Sequence, residues 1–599
     1  MIKHNKRFLL LTFGIAVLLI GGGIAAYSLL VQRFLFLENA PVGTQLVPQD
    51  ALLTVSVSTD TAQWQQLQQY GTPETRAVLE KQLTQLRQNL LSANGYNYEK
   101  DIQPSLGETF VIAYLGSGTS TSGREQKQQP WPGIPFNQSP DLIVLPMANP
   151  VQAKQLLDKA KSQKVAQVVE RTYKGVQISE TQKNGVLNNS AAALGRFLVV
   201  TKNPKTTEQV IDTYKGAASV AATPGYIEKL GKIDAPTPFA RAYLNVPSLT
   251  AAAAANSTRS RSPEQLADQE QRQGVATTVT LEPEGIRFQS VSWLKPKSER
   301  KYKVKNTANR LPRQLPANTL LALSGGNLAQ LWQDYVQGAA SNPLAPNFPA
   351  NVSAGLQATL GLDLEEDLLP LMGSEFAVAL IPASEDMLKL PENLQPLPTL
   401  GAGVVLMFLS SDRSRTEKIF QHLDNVMETR YQFLVEKTQL NGQPVVNWTS
   451  PLAGVSATHG WLEGNIAFLT LGAPIASAIV PQPPATLIQT SLFQQVVPDR
   501  INPRNGMFFL DIERTFNRGN LNLPELPSEP KSLLQAIRAI GFAVAINDER
   551  TTRFDMFVKL KKAIAPSASP APDKKPSTPS SPKPAQTPQT PRSPSSPSP

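Results

Sequence analysis

Apolar and polar residues alternate along residues 51–57, Ala-Leu-Leu-Thr-Val-Ser-Val, the period of a strand with one buried face. Asp60 then precedes apolar residues at helical spacing, Trp64 and Leu67 and, after Pro73, Val78, Leu79, Leu83, Leu86 and Leu90. That spacing predicts a capped helical stretch. The same reading predicts strands at 141–145, 197–201, 241–246 and 285–294 and a helix at 151–160. It then predicts strands at 319–322, 376–381, 404–409, 466–471, 507–512 and 552–560, with a helix at 415–427. Strands and helices mix without regular alternation and without glycine-rich phosphate turns. The fold class expected is therefore α+β with a mostly antiparallel sheet, not a doubly wound one.

The second series repeats the first. Gly95, Glu99, Asp101, Pro104, Gly107, Phe110 and Ala113 return 266 positions later as Gly361, Glu365, Asp367, Pro370, Gly373, Phe376 and Ala379. Trp64 is matched by Trp332 with a two-residue drift, and Phe288, Leu294 and Lys295 are matched by Phe554, Leu560 and Lys561. Two tandem homologous α+β domains are expected, at 41–297 and 313–562, joined by a basic linker at 298–312. Long connections fall at matching places, 116–140 and 382–401, and are read as covering or disordered segments or as binding elements.

Outside the repeats, residues 8–32 contain no charge, and Lys3, Lys6 and Arg7 precede them. About 20 apolar residues cross a bilayer, so 8–32 is expected to be a transmembrane helix with residues 1–7 in the cytoplasm. A cleaved signal peptide is the alternative, because Gly23-Ile24-Ala25-Ala26 offers small residues for cleavage. Residues 563–599 are rich in Pro and Ser and are expected to be a disordered tail, read first as inert and otherwise as a spacer or a weak tether to an anionic surface such as cell wall.

Charge changes this picture little. The net charge of +10 divides into +4 around the apolar segment, +7 at 295–313 and +6 at 559–599, which leaves the folded halves at −7. No basic face is implied, so nucleic acid is not an expected partner. With no cysteine in the chain, thiolate catalysis, disulfides and thiolate-held metals are excluded.

Candidate chemistry is sparse. The repeated Asp101 to Gly107 and Asp367 to Gly373 motifs read as an acid capping a helical turn, a proline, and a glycine free to take positive φ. Trp64 and Trp332 read as core packing. Asp363, Glu365, Glu366 and Asp367 have the oxygens for a hard cation but not the spacing of a calcium loop, and acids at a helix start explain them. His422 and His459 have no i, i+4 partner and are read as solvent or core histidines; the first half has none. There is no phosphate loop, no G-x-S-x-G and no His-Glu-x-x-His; Ser528-Glu-Pro-Lys531 has the Ser-x-x-Lys spacing but a proline breaks its helical turn. No catalytic, cofactor-binding or metal residue is assigned, and no cofactor is expected.

The apolar segment, Pro48-Gln-Asp-Ala-Leu-Leu53 with Trp64, and Asp101-Ile-Gln-Pro-Ser-Leu-Gly107 together resemble a domain-of-unknown-function family of membrane-anchored cyanobacterial proteins, over residues 41–562. The resemblance implies plasma or thylakoid membranes and a periplasmic or luminal body, and it carries no functional residues. The expected role is a scaffold or assembly factor that binds another envelope or thylakoid protein. The alternatives are an envelope hydrolase with an unrecognised acid pair, or a polysaccharide-binding module with Trp131 and Trp448 as stacking platforms.

Overall fold

A computed structural model describes residues 40–562 except 91–96, 117–139, 163–166, 184–185, 256–270, 334–347, 384–400, 451–455 and 518–533. The expected transmembrane segment, both long connections and the tail lie outside the described residues. Among those described, no helix is long and apolar enough to cross a membrane.

The strands of the first half are β1 (Leu53–Ser58), β2 (Thr109–Tyr114), β3 (Leu142–Pro146), β4 (Gln167–Tyr173), β5 (Val176–Lys183), β6 (Val186–Leu194), β7 (Phe197–Thr201), β8 (Ala240–Asn245), β9 (Arg272–Glu282) and β10 (Gly285–Leu294). Those of the second are β11 (Leu321–Gly325), β12 (Phe376–Pro382), β13 (Ala402–Leu409), β14 (Leu434–Leu440), β15 (Gln443–Thr449), β16 (Ser456–Leu462), β17 (Ile466–Gly472), β18 (Gly506–Asp511), β19 (Ile537–Asp548) and β20 (Thr551–Leu560). The helices are α1 (Thr61–Gln68), α2 (Pro73–Leu90), α3 (Pro150–Ser162), α4 (Pro204–Tyr214), α5 (Tyr226–Gly231), α6 (Val246–Ala255), α7 (Phe348–Leu360), α8 (Arg413–Thr429) and α9 (Ser491–Val496). The mix of helix with a wholly antiparallel sheet is the α+β class that the patterning predicts.

All these strands form one sheet. Its first half runs in space β4-β5-β6-β7-β3-β2-β1-β8-β9-β10. The second half has the corresponding order, β14-β15-β16-β17-β13-β12-β11-β18-β19-β20. The two series meet where β10 pairs with β20, from Gly285 opposite Lys559 to Trp293 opposite Thr551.

Gln289 faces Asp555 at the middle of that seam, and these two are themselves 266 positions apart, as are Arg287 and Arg553 on either side of them. Asp555 is fully buried, and Arg287 donates to it from Nη1 at 2.9 Å. The other edge of the Arg287 guanidinium, Nε and Nη2, is held by Glu282. Burial raises the Asp555 carboxyl above its usual range, and Arg287 pulls it back only in part. Aromatic and branched side chains, Phe288, Phe554, Val558 and Ile512, form the core around this seam.

Elsewhere the sheet is covered by helices. In the first half Val210 and Ile211 of α4 and Tyr226, Ile227 and Leu230 of α5 pack with Tyr243 and Trp293. In the second, Phe493 and Val496 of α9 pack with Phe509, Ala543 and Phe557. The linker at 298–312 is not a free tether. Asn306 holds both backbone groups of Ile546, and Tyr302 N and Ala308 N donate to Glu549 O and Arg504 O.

The repeated acid motif does cap a turn, by reaching back. Asp101 Oδ2 accepts from Asn97 N and Asp367 Oδ2 from Asp363 N, each at 2.9 Å, while Asn97 and Asp363 cap the same turns from the front. The expected positive φ after them is absent: Gly373 has φ −72 and Gly107 is not among the positive-φ residues. Gly107 serves instead for close approach, since a Cβ there would lie 3.1 Å from Pro146 O. Both tryptophans are half-buried: Trp64 packs edge-on to Phe239 at 5.0 Å against the core, and Trp332 donates to Glu365.

Removing one member of a buried ion pair leaves an unpaired charge, which costs about 3–5 kcal/mol, whereas replacing both by apolar residues of like size is often neutral. Urea unfolding of Arg287→Met is therefore expected to show a loss of that order, and the double variant Arg287→Met, Asp555→Leu is expected to recover most of it.

Candidate functional site

Asn441 and Gly442 take φ 50 and 81, the left-handed pair of a tight hairpin turn, and fold β14 onto β15. Asp412 caps α8 by accepting from Arg415 N at 2.9 Å. The helix buries Thr416, Phe420 and Leu423 at spacings of four and three. It thus lies over the β14–β17 meander, and between them is a groove of about 460 Å³ lined by Glu417, Phe420, Asp424, Lys437, His459 and Trp461, among others.

His459 stands at the base of the groove with 4 % of its surface exposed. Its Nε2 lies 2.8 Å from Asp424 Oδ1, and Trp448 Nε1 donates to the same oxygen at 2.7 Å. The ring stacks on Phe420 at 4.3 Å and meets Trp448 edge-on at 5.2 Å. Arg413 covers the Trp461 ring at 4.3 Å and pairs with Glu417 at 3.0 Å.

Burial opposes ionisation of Asp424, but the hydrogen bonds from His459 and Trp448 outweigh it and hold the carboxyl below its usual range. An ionised Asp424 only accepts, so His459 must present a proton on Nε2. Nδ1 has no hydrogen-bond partner among the described residues. The arrangement is a carboxylate-oriented imidazole whose second ring nitrogen is left open at a partly aromatic groove.

The first half has the corresponding strand order without these side chains. By strand register, Ala191 stands where His459 stands and Thr181 where Trp448 stands. Counted from the caps Asn149 and Asp412, Lys161 takes the place of Asp424. A larger cavity, about 640 Å³, opens in the first half beside α4. Part of its polar wall is already engaged, since Lys174 and Tyr173 hold Asp212 and Asn245 donates to Gln49 O, while Gln209 Oε1 is buried there without a hydrogen-bond partner among the described residues.

The residues weighed from sequence are scattered. Asp363 and Asp367 serve backbone amides, Glu365 accepts from Trp332 and Ser353, and no group of three or more potential metal ligands occurs among the described residues. His422 is exposed and bonds Leu360 O. His459 is a core histidine, as one of its two readings held, but one bonded to an acid. Trp448 is not a stacking platform: at 2 % exposure neither ring face is available, and its N–H is committed to Asp424. Trp131 and Ser528 to Lys531 lie outside the described residues. Sequence reading missed Asp424 and Trp461; their signal was position, an acid seven residues after Glu417 on one helix face and an aromatic two residues after His459 on one strand face.

Among the described residues both ends of the sheet are single-sided strands: β4 pairs only with β5, and β14 only with β15. Glu170, Glu436, Lys437 and Thr438 are exposed along them.

The model of a family described as "Protein of unknown function (DUF3352)" matches residues 12–560. No curated protein matches the chain. Among solved structures, one titled "Structure of crystal form III of TP0453" is similar at 8% identity, over 44% of this chain and 81% of that one, with a TM-score of 0.21. That likeness is too weak to carry any argument about fold or role.

Because the Asp424 carboxyl is held low, the stability it adds is complete above the unfolded aspartate pKa of about 3.9 and is lost as pH falls through the lower folded value. Asp424→Asn is expected to cost about 1–3 kcal/mol at neutral pH, the worth of hydrogen bonds to a charged group. Urea midpoints measured from neutral pH downward are expected to converge for the two proteins in acid; a constant gap would show that the charge is not what matters.

Proposed function

We propose, for a chain that belongs to the DUF3352 family of proteins of unknown function, a non-enzymatic scaffolding role outside the cytoplasm. Residues 8–32 anchor it in a membrane, with 1–7 in the cytoplasm and the body periplasmic or thylakoid-luminal, as in a cyanobacterium. The charge-free apolar stretch behind Lys3, Lys6 and Arg7 supports that orientation. The body consists of two tandem copies of one α+β domain, a reading supported by the matching strand orders and by the shared offset across the seam. The basic tail at 563–599 is a spacer that brings the body to the cell wall.

The observation that carries the scaffold reading is the pair of free edges. Two separate strands, β4 and β14, end one continuous sheet at corresponding places, and each offers unpaired backbone groups to a partner strand. Edge addition supplies main-chain hydrogen bonds whatever the partner's sequence, and alternate side chains supply selectivity. A client protein of the envelope or thylakoid membrane, bound at one or both edges, fits a rigid two-ended body.

A photo-crosslinking amino acid placed at Glu170 or Glu436 in native membranes is expected to trap a discrete protein partner, while one at exposed Lys205 traps none. Equal background at all three positions would remove the scaffold reading. A reporter active only outside the cytoplasm, fused after Lys562, is expected to be active; silence there would reverse the topology.

A further inference from the structure

We infer that the groove between α8 and the β14–β16 strands is a saccharide site, taking a neutral pyranose-type ring of a glycan. The inference goes beyond the scaffold reading and does not depend on it.

The size admits such a ligand: about 460 Å³ lies within the range of about 300–1,000 Å³ typical of small-molecule sites. The carboxylates in the walls are already matched. Glu417 is paired with Arg413, and Asp424 is held by His459 and Trp448. The groove therefore has little to offer a cation, which would have to compete with these existing pairs.

What remains unspent is of a different kind. One wall is aromatic: Phe420, one ring face of which stacks on His459, and Trp461, one ring face of which Arg413 covers, still line the groove and give it apolar ring surface that suits the C–H groups of a sugar. The rim carries Gln421, Lys437, Thr438 and Gln439, an assortment of amide, ammonium and hydroxyl groups able to donate and accept. At the base stands His459, almost fully buried, with Nδ1 lacking any donor among the described residues and Nε2 fixed by Asp424. A ring nitrogen that is oriented and has no protein partner among the described residues favours a ligand that brings a hydroxyl, which can donate or accept. A polyhydroxylated ring with apolar faces satisfies all three features at once.

The comparison within the chain supports the same conclusion. Ala191 and Thr181 stand at the corresponding positions of the first half, where the fold stands without the imidazole and the indole. The cluster is thus an addition to the scaffold rather than part of what the scaffold requires.

The test uses the full-length protein in detergent with two soluble probes, the N-acetylglucosamine tetramer and maltotetraose, and with purified peptidoglycan sacculi. Calorimetry is expected to show saturable binding of at least one soluble probe, with a change in tryptophan fluorescence. His459→Ala is expected to weaken it at least tenfold, and Gln439→Ala, an exposed substitution with little effect on folding, by severalfold. Sacculus binding that both variants weaken would support the site with the wall glycan as its source; binding of a soluble probe alone would support it with a free oligosaccharide. Absence of binding to all three probes would overturn the inference. So would binding that both variants leave intact, or sacculus binding that is lost only when 563–599 are deleted. Crosslinking at Glu170 and Glu436 reports on the scaffold reading separately and is indifferent to these variants.

Discussion

One antiparallel pairing decides the architecture. Every named strand lies in a single sheet, and among the described residues the β10–β20 ladder is the one strand pairing that joins the two halves. Without that seam there would be two separate sheets, each with an extra exposed edge. The side chains at its centre show how the pairing is stabilised. Like charges directly opposite on adjacent strands are unfavourable, and a seam with the same acid at both 289 and 555 would place two carboxylates face to face. Here Gln289 faces Asp555, and Arg287 beside them neutralises the single acid. Two halves that share a strand order differ at the point where likeness would be costly. The buried charge that results couples them, because Arg287 belongs to one half and Asp555 to the other.

The seam also explains why the linker is ordered. A chain that leaves β10 for the second half must pass the β19–β20 turn, and it does so bonded to it: Tyr302 to Glu549, Asn306 to Ile546, and Arg550 to the carbonyls of Lys295 and Ser298. From composition the basic run resembles a tether. The exposed lysines set that composition, while the residues that hold the segment, Tyr302, Asn306 and Ala308, are few among them.

This contrast recurs through the molecule. Strands with strong apolar content were legible: 141–145, 197–201, 404–409 and 552–560 each fall on a strand within a residue or two. The edge meanders were not. In β14, Leu-Val-Glu-Lys-Thr-Gln-Leu, most side chains are exposed, and β6 is dominated by Ala191 to Ala193, so neither shows the alternation that marks a half-buried strand. The local signal lay in turns. Asn441-Gly442, and in the first half Lys174-Gly175 with φ 47 and 77, mark the two edge hairpins. The helical stretch from Asp60 onward was visible as a pattern but not as two helices; Gly71, at φ 82, and Pro73 divide it. The candidate groove was less legible still, because Asp424, Trp448, His459 and Trp461 come from a helix and two strands that only the meander brings together.

The groove nevertheless follows from the same internal comparison that first revealed the repeat. Burying an imidazole and a carboxylate has a desolvation cost that an apolar pair avoids, and such a network stabilises only when its members are satisfied. At the His459 position the first half has alanine, buried to 3 % exposure and packed with Leu198 and Val200 beneath α3. The fold is therefore met equally well by a small apolar residue. In the second half Asp424 and Trp448 are arranged to hold the imidazole by one nitrogen only. A structural histidine would best have both nitrogens engaged, whereas one that meets a ligand keeps the second for it. The open Nδ1 is thus a departure from what folding asks, at a position where the chain itself shows the simpler solution.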